Sequence, residues 1–117
     1  MKRVSTIIAM LSVILSFVAN ATDLKKQKEI LLDNEKVEVI RLTYPPHSES
    51  GMHNHQHPNR TVYVLAGGEL TLINHDGKTQ VLQVATGSVL YLPAMQHNVK
   101  NSGATTVILI ETELKAR

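Results

Sequence analysis

Short runs of alternating apolar and polar residues recur from residue 37 onward. They are rich in Val, Ile, Leu, Thr and Tyr, which favour strands, and no helical pattern of 10 to 15 residues lies between them. The runs that predict strands are residues 37–43, 61–65, 69–74, 80–84, 89–92 and 105–111. Closely spaced strands of this kind predict an all-β sandwich or barrel.

Turn-forming residues separate these runs. Pro45 and Pro46 remove two backbone N–H donors from any ladder, and Gly67-Gly68 allows a tight turn. Asp76-Gly77 between two alternating runs is a strong hairpin signal. Residues 37–114 are therefore predicted to form one barrel domain, and residues 22–36 are predicted to hold a lead-in segment and the first strand.

The first 21 residues have a different pattern. Lys2 and Arg3 precede an apolar run over residues 4–18, and Ala19-Asn20-Ala21 follows it. This layout is typical of a cleavable signal peptide, and the run is shorter than the roughly 20 residues that a membrane-spanning helix needs. We expect cleavage after Ala21, export to the periplasm or the medium, and no stable membrane anchor afterwards.

Charge and cysteine content narrow the possible partners and ligands. Loss of Lys2 and Arg3 with the signal peptide leaves ten basic residues against ten acidic ones, so no basic surface predicts nucleic-acid binding. The chain has no cysteine, which excludes disulfides and thiolate ligands. Imidazole, carboxylate and thioether groups remain as candidate metal ligands.

Three histidines fall within five residues, at His53, His55 and His57, and His97 follows a strand and a proline turn 40 residues later. In an extended strand, residues two apart point to the same face, and their backbones are about 6.6 Å apart. The imidazoles of His53 and His55 can therefore converge on one ion. His57 directly precedes Pro58, where a strand should end, and is a poorer ligand. The alternative interpretation is a solvated polar loop.

These residues resemble the two motifs of the cupins. The first motif is a His-x-His pair followed by a Glu and by a Gly seven positions after that Glu. The second motif is a Gly, a Pro, a His and an Asn. The matching residues are His53, His55, Gly67, Gly87, Pro93, His97 and Asn101. The resemblance implies a single double-stranded β-helix, or jelly-roll barrel. It also implies that His53, His55 and His97 are metal ligands.

Two positions depart from the family pattern. Met95 stands where the second motif has Gly, which is a minor change, and Arg60 stands where the cupins have their metal-binding Glu. A guanidinium group lacks a donor lone pair and keeps its positive charge. Three alternatives remain open. The three His residues hold a divalent ion (Zn, Fe, Mn, Ni or Cu) while an anionic ligand offsets Arg60; or the pocket binds no metal, and Arg60 and the His residues bind an anion; or Arg60 pairs with a carboxylate such as Glu49 or Glu69.

Two functions follow from these alternatives. One is an enzyme that converts a small anionic substrate at the metal, with Arg60 and His57 as substrate-binding residues. The other is a non-catalytic periplasmic module that binds a small molecule or a metal. The resemblance to the cupins also implies that two copies can pair as a homodimer through their sheet edges.

Overall fold

The computed structural model describes residues 26–115, so the predicted signal peptide lies outside the described residues. Nine strands make up this part of the chain: β1 Gln27–Asp33, β2 Val37–Tyr44, β3 His53–Asn54, β4 Asn59–Ala66, β5 Gly68–Asn74, β6 Thr79–Val84, β7 Val89–Pro93, β8 Gln96–Asn101 and β9 Val107–Leu114. Between residues 26 and 115 there is no helix with the length and apolarity to cross a membrane.

The strands form two sheets, with the orders β1-β2-β9-β4-β7 and β3-β8-β5-β6. Every described pair is antiparallel, and the pairs β2–β9, β4–β9 and β5–β8 join strands that are distant in the chain. Two facing antiparallel sheets with these long-range pairings are a jelly-roll barrel. The all-β, single-barrel prediction is confirmed.

The barrel interior is built from every second residue of the strands. On β4, for example, Val62 and Val64 are buried while Tyr63 and Leu65 are exposed. The same alternation on strands of both sheets produces one apolar core: Ile40, Leu42, Tyr44, Val62, Val64, Leu70, Leu72, Val84, Val99, Val107 and Leu109. Because the two sheets face each other, polar residues in phase with this alternation also point inward.

The six predicted runs coincide with β2, β4, β5, β6, β7 and β9, and the first strand predicted within residues 22–36 is β1. The sequence pattern missed β8, because Gln96–Asn101 is mostly polar. Its buried residues nevertheless alternate, at His97, Val99 and Asn101. This strand carries the only histidine of the second motif into the barrel interior.

Asn101 connects the two sheets through its side chain. It is fully buried, its amide donates to the carbonyl oxygens of Tyr44 and Thr105 at 2.8 Å each, and its Oδ1 accepts from the Gly103 amide at 3.0 Å. Three backbone groups would lose their partners without it. The Asn of the second motif therefore has a structural role here.

We predict that Asn101→Ala lowers the free energy of unfolding by about 3 kcal/mol, because it leaves several buried polar groups unpaired. Urea unfolding followed by circular dichroism measures the change. The control is Asn59→Ala, since Asn59 is exposed and its side chain accepts a hydrogen bond from exposed Tyr91. The control should change stability by about 0.5 kcal/mol or less. Equal effects of the two substitutions would contradict this role.

Candidate metal centre

Pairing of β3 with β8 brings the histidines of the two motifs together. His53 lies directly opposite His97 in this pair, and the amide of His55 donates to the carbonyl of Met95 at 3.4 Å just beyond it. The three imidazole ring centres are 4.7 to 5.1 Å apart. The structure thus brings His53, His55 and His97 together in one cluster, and their role as metal ligands stays a prediction.

The imidazoles point their Nε2 atoms at one another. The Nε2 atoms of His53 and His55 are 2.9 Å apart, and those of His55 and His97 are 3.1 Å apart. Two nitrogen ligands that lie 2.0–2.1 Å from one ion at right angles are about 3 Å apart. The spacing of this cluster therefore fits coordination of a single divalent ion.

Hydrogen bonds on the far side of two rings fix which nitrogen carries the proton. His53 Nδ1 lies 2.9 Å from the carbonyl oxygen of Gly51, and His55 Nδ1 lies 2.6 Å from Oε1 of Glu113. Carbonyl and carboxylate oxygens accept hydrogen bonds, so each Nδ1 must donate. In the neutral ring the Nε2 atom then presents a lone pair, which is the arrangement that metal-binding histidines need.

The three rings are held in their neutral form. Burial lowers the pKa of His53 and of His55, and burial together with the charge of Arg60 lowers the pKa of His97 to about 3. The lone pairs of His53 and His55 thus face each other across 2.9 Å. Such a contact is unfavourable unless a positive group lies against it.

Arg60 supplies one such group. Its side chain is 1% exposed and continues the inward-facing row of Val62 and Val64 on β4. Its Nη1 contacts Nε2 of His55 and donates to Oε2 of Glu111 at 3.2 Å. Arg60 thus lies among the histidines.

The carboxylate partner of Arg60 is Glu111, and the expectation of Glu49 or Glu69 was wrong. Glu49 accepts from Asn98, and Glu69 accepts from Gln83.

Two buried carboxylates on β9, Glu111 and Glu113, complete the centre. Burial raises the pKa of Glu111 to about 7 against the opposing effect of Arg60. Burial also acts to raise the pKa of Glu113, but the hydrogen bond that His55 donates opposes this effect, and the net pKa is lowered. Glu113 therefore accepts from His55 as a carboxylate. His55, Glu111 and Glu113 form a second group of three potential ligand residues.

The sequence interpretation missed both carboxylates, because the alternation that places them inside the barrel is ambiguous in the sequence. On β9 the buried residues alternate as Val107, Leu109, Glu111 and Glu113. The opposite face carries Ile108 and Ile110, so apolar residues occupy both phases of the strand and the inner face cannot be chosen by hydrophobicity.

A cavity of about 300 Å³ lies beside the centre, at the small end of the range for ligand pockets. Polar groups of the centre line the cavity together with two lysines at the start of β1 and many core residues. The polar lining residues are Lys26, Lys28, Tyr44, Ser50, His53, Asn54, His55, Arg60, His97 and Glu111. His57 is half-buried and is not among the lining residues, so its substrate-binding role stays a prediction.

The structure defines a class, the small jelly-roll barrels with a histidine cluster beside a cavity, and comparison with known proteins identifies the family. The cupin domain model matches residues 40–113. The chain belongs to the cupin domain family.

One relative is the beta-alanine degradation protein BauB of Pseudomonas aeruginosa, which is 33% identical over 86 residues, covering 74% of this chain and 90% of that protein. A cupin domain of Bordetella pertussis, solved by crystallography, is 30% identical with a TM-score of 0.72, over 79% of this chain and 95% of that one. An RmlC-like cupin of Shewanella frigidimarina is 27% identical with a TM-score of 0.56, over 79% and 78% of the two chains.

We predict that Glu113 sets the tautomer of His55. Correlation spectra of the imidazole ¹⁵N nuclei should show His55 of the metal-free protein protonated on Nδ1. Glu113→Ala should produce a mixture of the two tautomers, because the acceptor of the Nδ1 proton is lost. The exposed carboxylate variant Glu35→Ala is the control and should leave the His55 signals unchanged. An Nε2-protonated His55 in the unsubstituted protein would contradict the assignment.

Proposed function

We propose that this cupin binds a divalent metal ion through Nε2 of His53, His55 and His97, and that the adjoining cavity binds a small carboxylate. The convergence of the three Nε2 atoms, with the protons of His53 and His55 held on Nδ1, is the observation that supports the proposal most strongly.

The donor set suits several transition metals. Imidazole nitrogens are ligands for zinc, copper, iron and nickel, and three of them leave coordination positions free for another ligand. A bound divalent ion supplies Lewis acidity there, which polarises a carbonyl group or lowers the pKa of a coordinated water. The residues of the chain position that ion, through Gly51 on His53 and Glu113 on His55, and keep the rings neutral by burial.

Positive side chains around the cavity support an anionic ligand. Arg60, Lys26 and Lys28 all line it, against one lining carboxylate, Glu111. Guanidinium and ammonium groups bind carboxylates through charge-assisted hydrogen bonds. The Pseudomonas relative is described as a protein of beta-alanine degradation, and β-alanine is a small carboxylate. Both the enzyme and the binding module that the sequence left open require this binding step.

Metal content tests the proposal. Protein purified without a histidine tag should retain about one divalent ion per chain, measured by mass spectrometry of the dissolved metals. His53→Ala and His97→Ala should each reduce the retained metal at least tenfold, because each removes one of three ligands. His75→Ala is the matched control, since His75 is exposed in a turn, and it should keep the metal.

Circular dichroism of each variant shows whether the fold is retained, which matters most for the buried His97. His53 is only half-buried and is the more secure test. Metal content that is unchanged in the folded His53→Ala protein, or absent from the unsubstituted protein after incubation with zinc, iron, manganese, nickel and copper, would refute the proposed centre.

A further inference from the structure

The Nε2 lone pair of His55 has two competing partners. Arg60 Nη1 contacts this atom, and the proposed metal centre needs the same lone pair as a ligand. A neutral imidazole has one such lone pair, so the two uses exclude each other. We infer that metal binding and carboxylate binding are positively coupled, because both require Arg60 to leave His55. The inference rests on the proposed metal centre.

Unmatched polar atoms show that the present contact leaves Arg60 incompletely satisfied. Nε and Nη2 of Arg60 are buried without a hydrogen-bond partner among residues 26–115, and so are Oε1 of Glu111 and Nδ1 of His97. Buried polar groups in folded proteins are nearly always paired. When a further hydrogen-bond acceptor is present, Arg60 therefore gains by leaving His55 and pairing its Nε and Nη2 with that acceptor.

The unmatched atoms of Arg60 have the geometry to bind a carboxylate. Nε–H and Nη2–H point from the same edge of the planar guanidinium and match the two oxygens of a carboxylate. Both atoms are enclosed while Nη1 contacts His55, so an incoming carboxylate reaches this edge only when the guanidinium moves. The same movement frees Nε2 of His55 for a metal ion.

Charge gives the coupling its sign. Arg60 keeps its positive charge, and a divalent ion beside it adds two more. The facing carboxylates are Glu111, which pairs with Arg60, and Glu113, which pairs with His55. One additional carboxylate neutralises the remaining positive charge, whereas a neutral ligand of the same shape does not. Each ligand thus favours the arrangement that the other one needs.

Lys26 and Lys28 act in the same direction. Both line the cavity, although Lys28 is already paired with Glu38 at 3.7 Å. Their charges add to the positive potential that the ion would enter, so they strengthen the requirement for an anion. The predicted behaviour is a cupin that binds metal about tenfold more weakly without a small carboxylate than with one.

Calorimetric titration of the metal-free full chain with zinc tests the coupling. The titration is run in a sulfonate buffer alone, with butyrate, and with butyramide, which has the same shape and no charge. Butyrate should increase zinc affinity about tenfold or more, and zinc should increase butyrate affinity by the same factor. Butyramide should have no effect. Equal zinc affinity with and without butyrate would overturn the coupling.

Arg60→Gln identifies the residue responsible. This variant should bind zinc without butyrate about as tightly as the unsubstituted protein does with it, and butyrate should no longer change the affinity. A butyrate effect of undiminished size in Arg60→Gln would refute the role of Arg60. If this variant does not fold, Arg60→Lys is used instead. Lysine keeps the positive charge but lacks the paired N–H donors of the guanidinium, so this variant should reduce the butyrate effect.

The outcomes also separate the coupling from the proposed function. If the unsubstituted protein and its folded Arg60 variant bind zinc equally, with no effect of butyrate, the metal centre stands and the coupling is wrong. If neither protein binds zinc under any of the three conditions, the metal centre itself is wrong. Binding of zinc by His53→Ala as tightly as by the unsubstituted protein would show a zinc site elsewhere and would also refute the coupling at His55.

Discussion

Two imidazole lone pairs that face each other at 2.9 Å are the constraint on which the polar end of this barrel depends. Hydrogen bonds at Nδ1 impose this arrangement, because the Gly51 carbonyl holds a proton on Nδ1 of His53 and the Glu113 carboxylate holds one on Nδ1 of His55. Burial keeps the rings neutral. A positive group must then lie at the front of the rings, and either the Arg60 guanidinium or a metal ion satisfies that requirement.

The strand pairings of the barrel bring the histidines, Arg60 and the two carboxylates together. β3 has only two residues, and its pairing with β8 places His53 opposite His97. In the other sheet, β4 and β9 are neighbours, and Arg60 lies opposite Glu113 in their register. Arg60 stands on β4 where the cupin motif has its carboxylate, and two buried carboxylates on β9 lie in the same centre. One of these neutralises Arg60, and the other orients His55.

Much of the fold was predictable from sequence because strand alternation and turn residues are local signals. The three histidines were predictable because two motifs fixed their spacing. β8 was not predicted, since its inward-facing residues include His97 and Asn101, whose burial is compensated only by long-range contacts. Glu111 and Glu113 were missed because β9 is apolar on both faces, and the wrong partner for Arg60 followed from that omission. Which face of a strand is buried is decided by the opposing sheet.

The proposed centre has two testable features, the position of the metal ion and the conformation of Arg60 when the ion is bound. Crystals of the zinc-loaded protein, with anomalous diffraction measured on both sides of the zinc absorption edge, report both directly. We predict one strong anomalous peak bounded by Nε2 of His53, His55 and His97, with the Arg60 guanidinium displaced from His55. A peak at another site, or no peak while Arg60 stays on Nε2 of His55, would contradict the account.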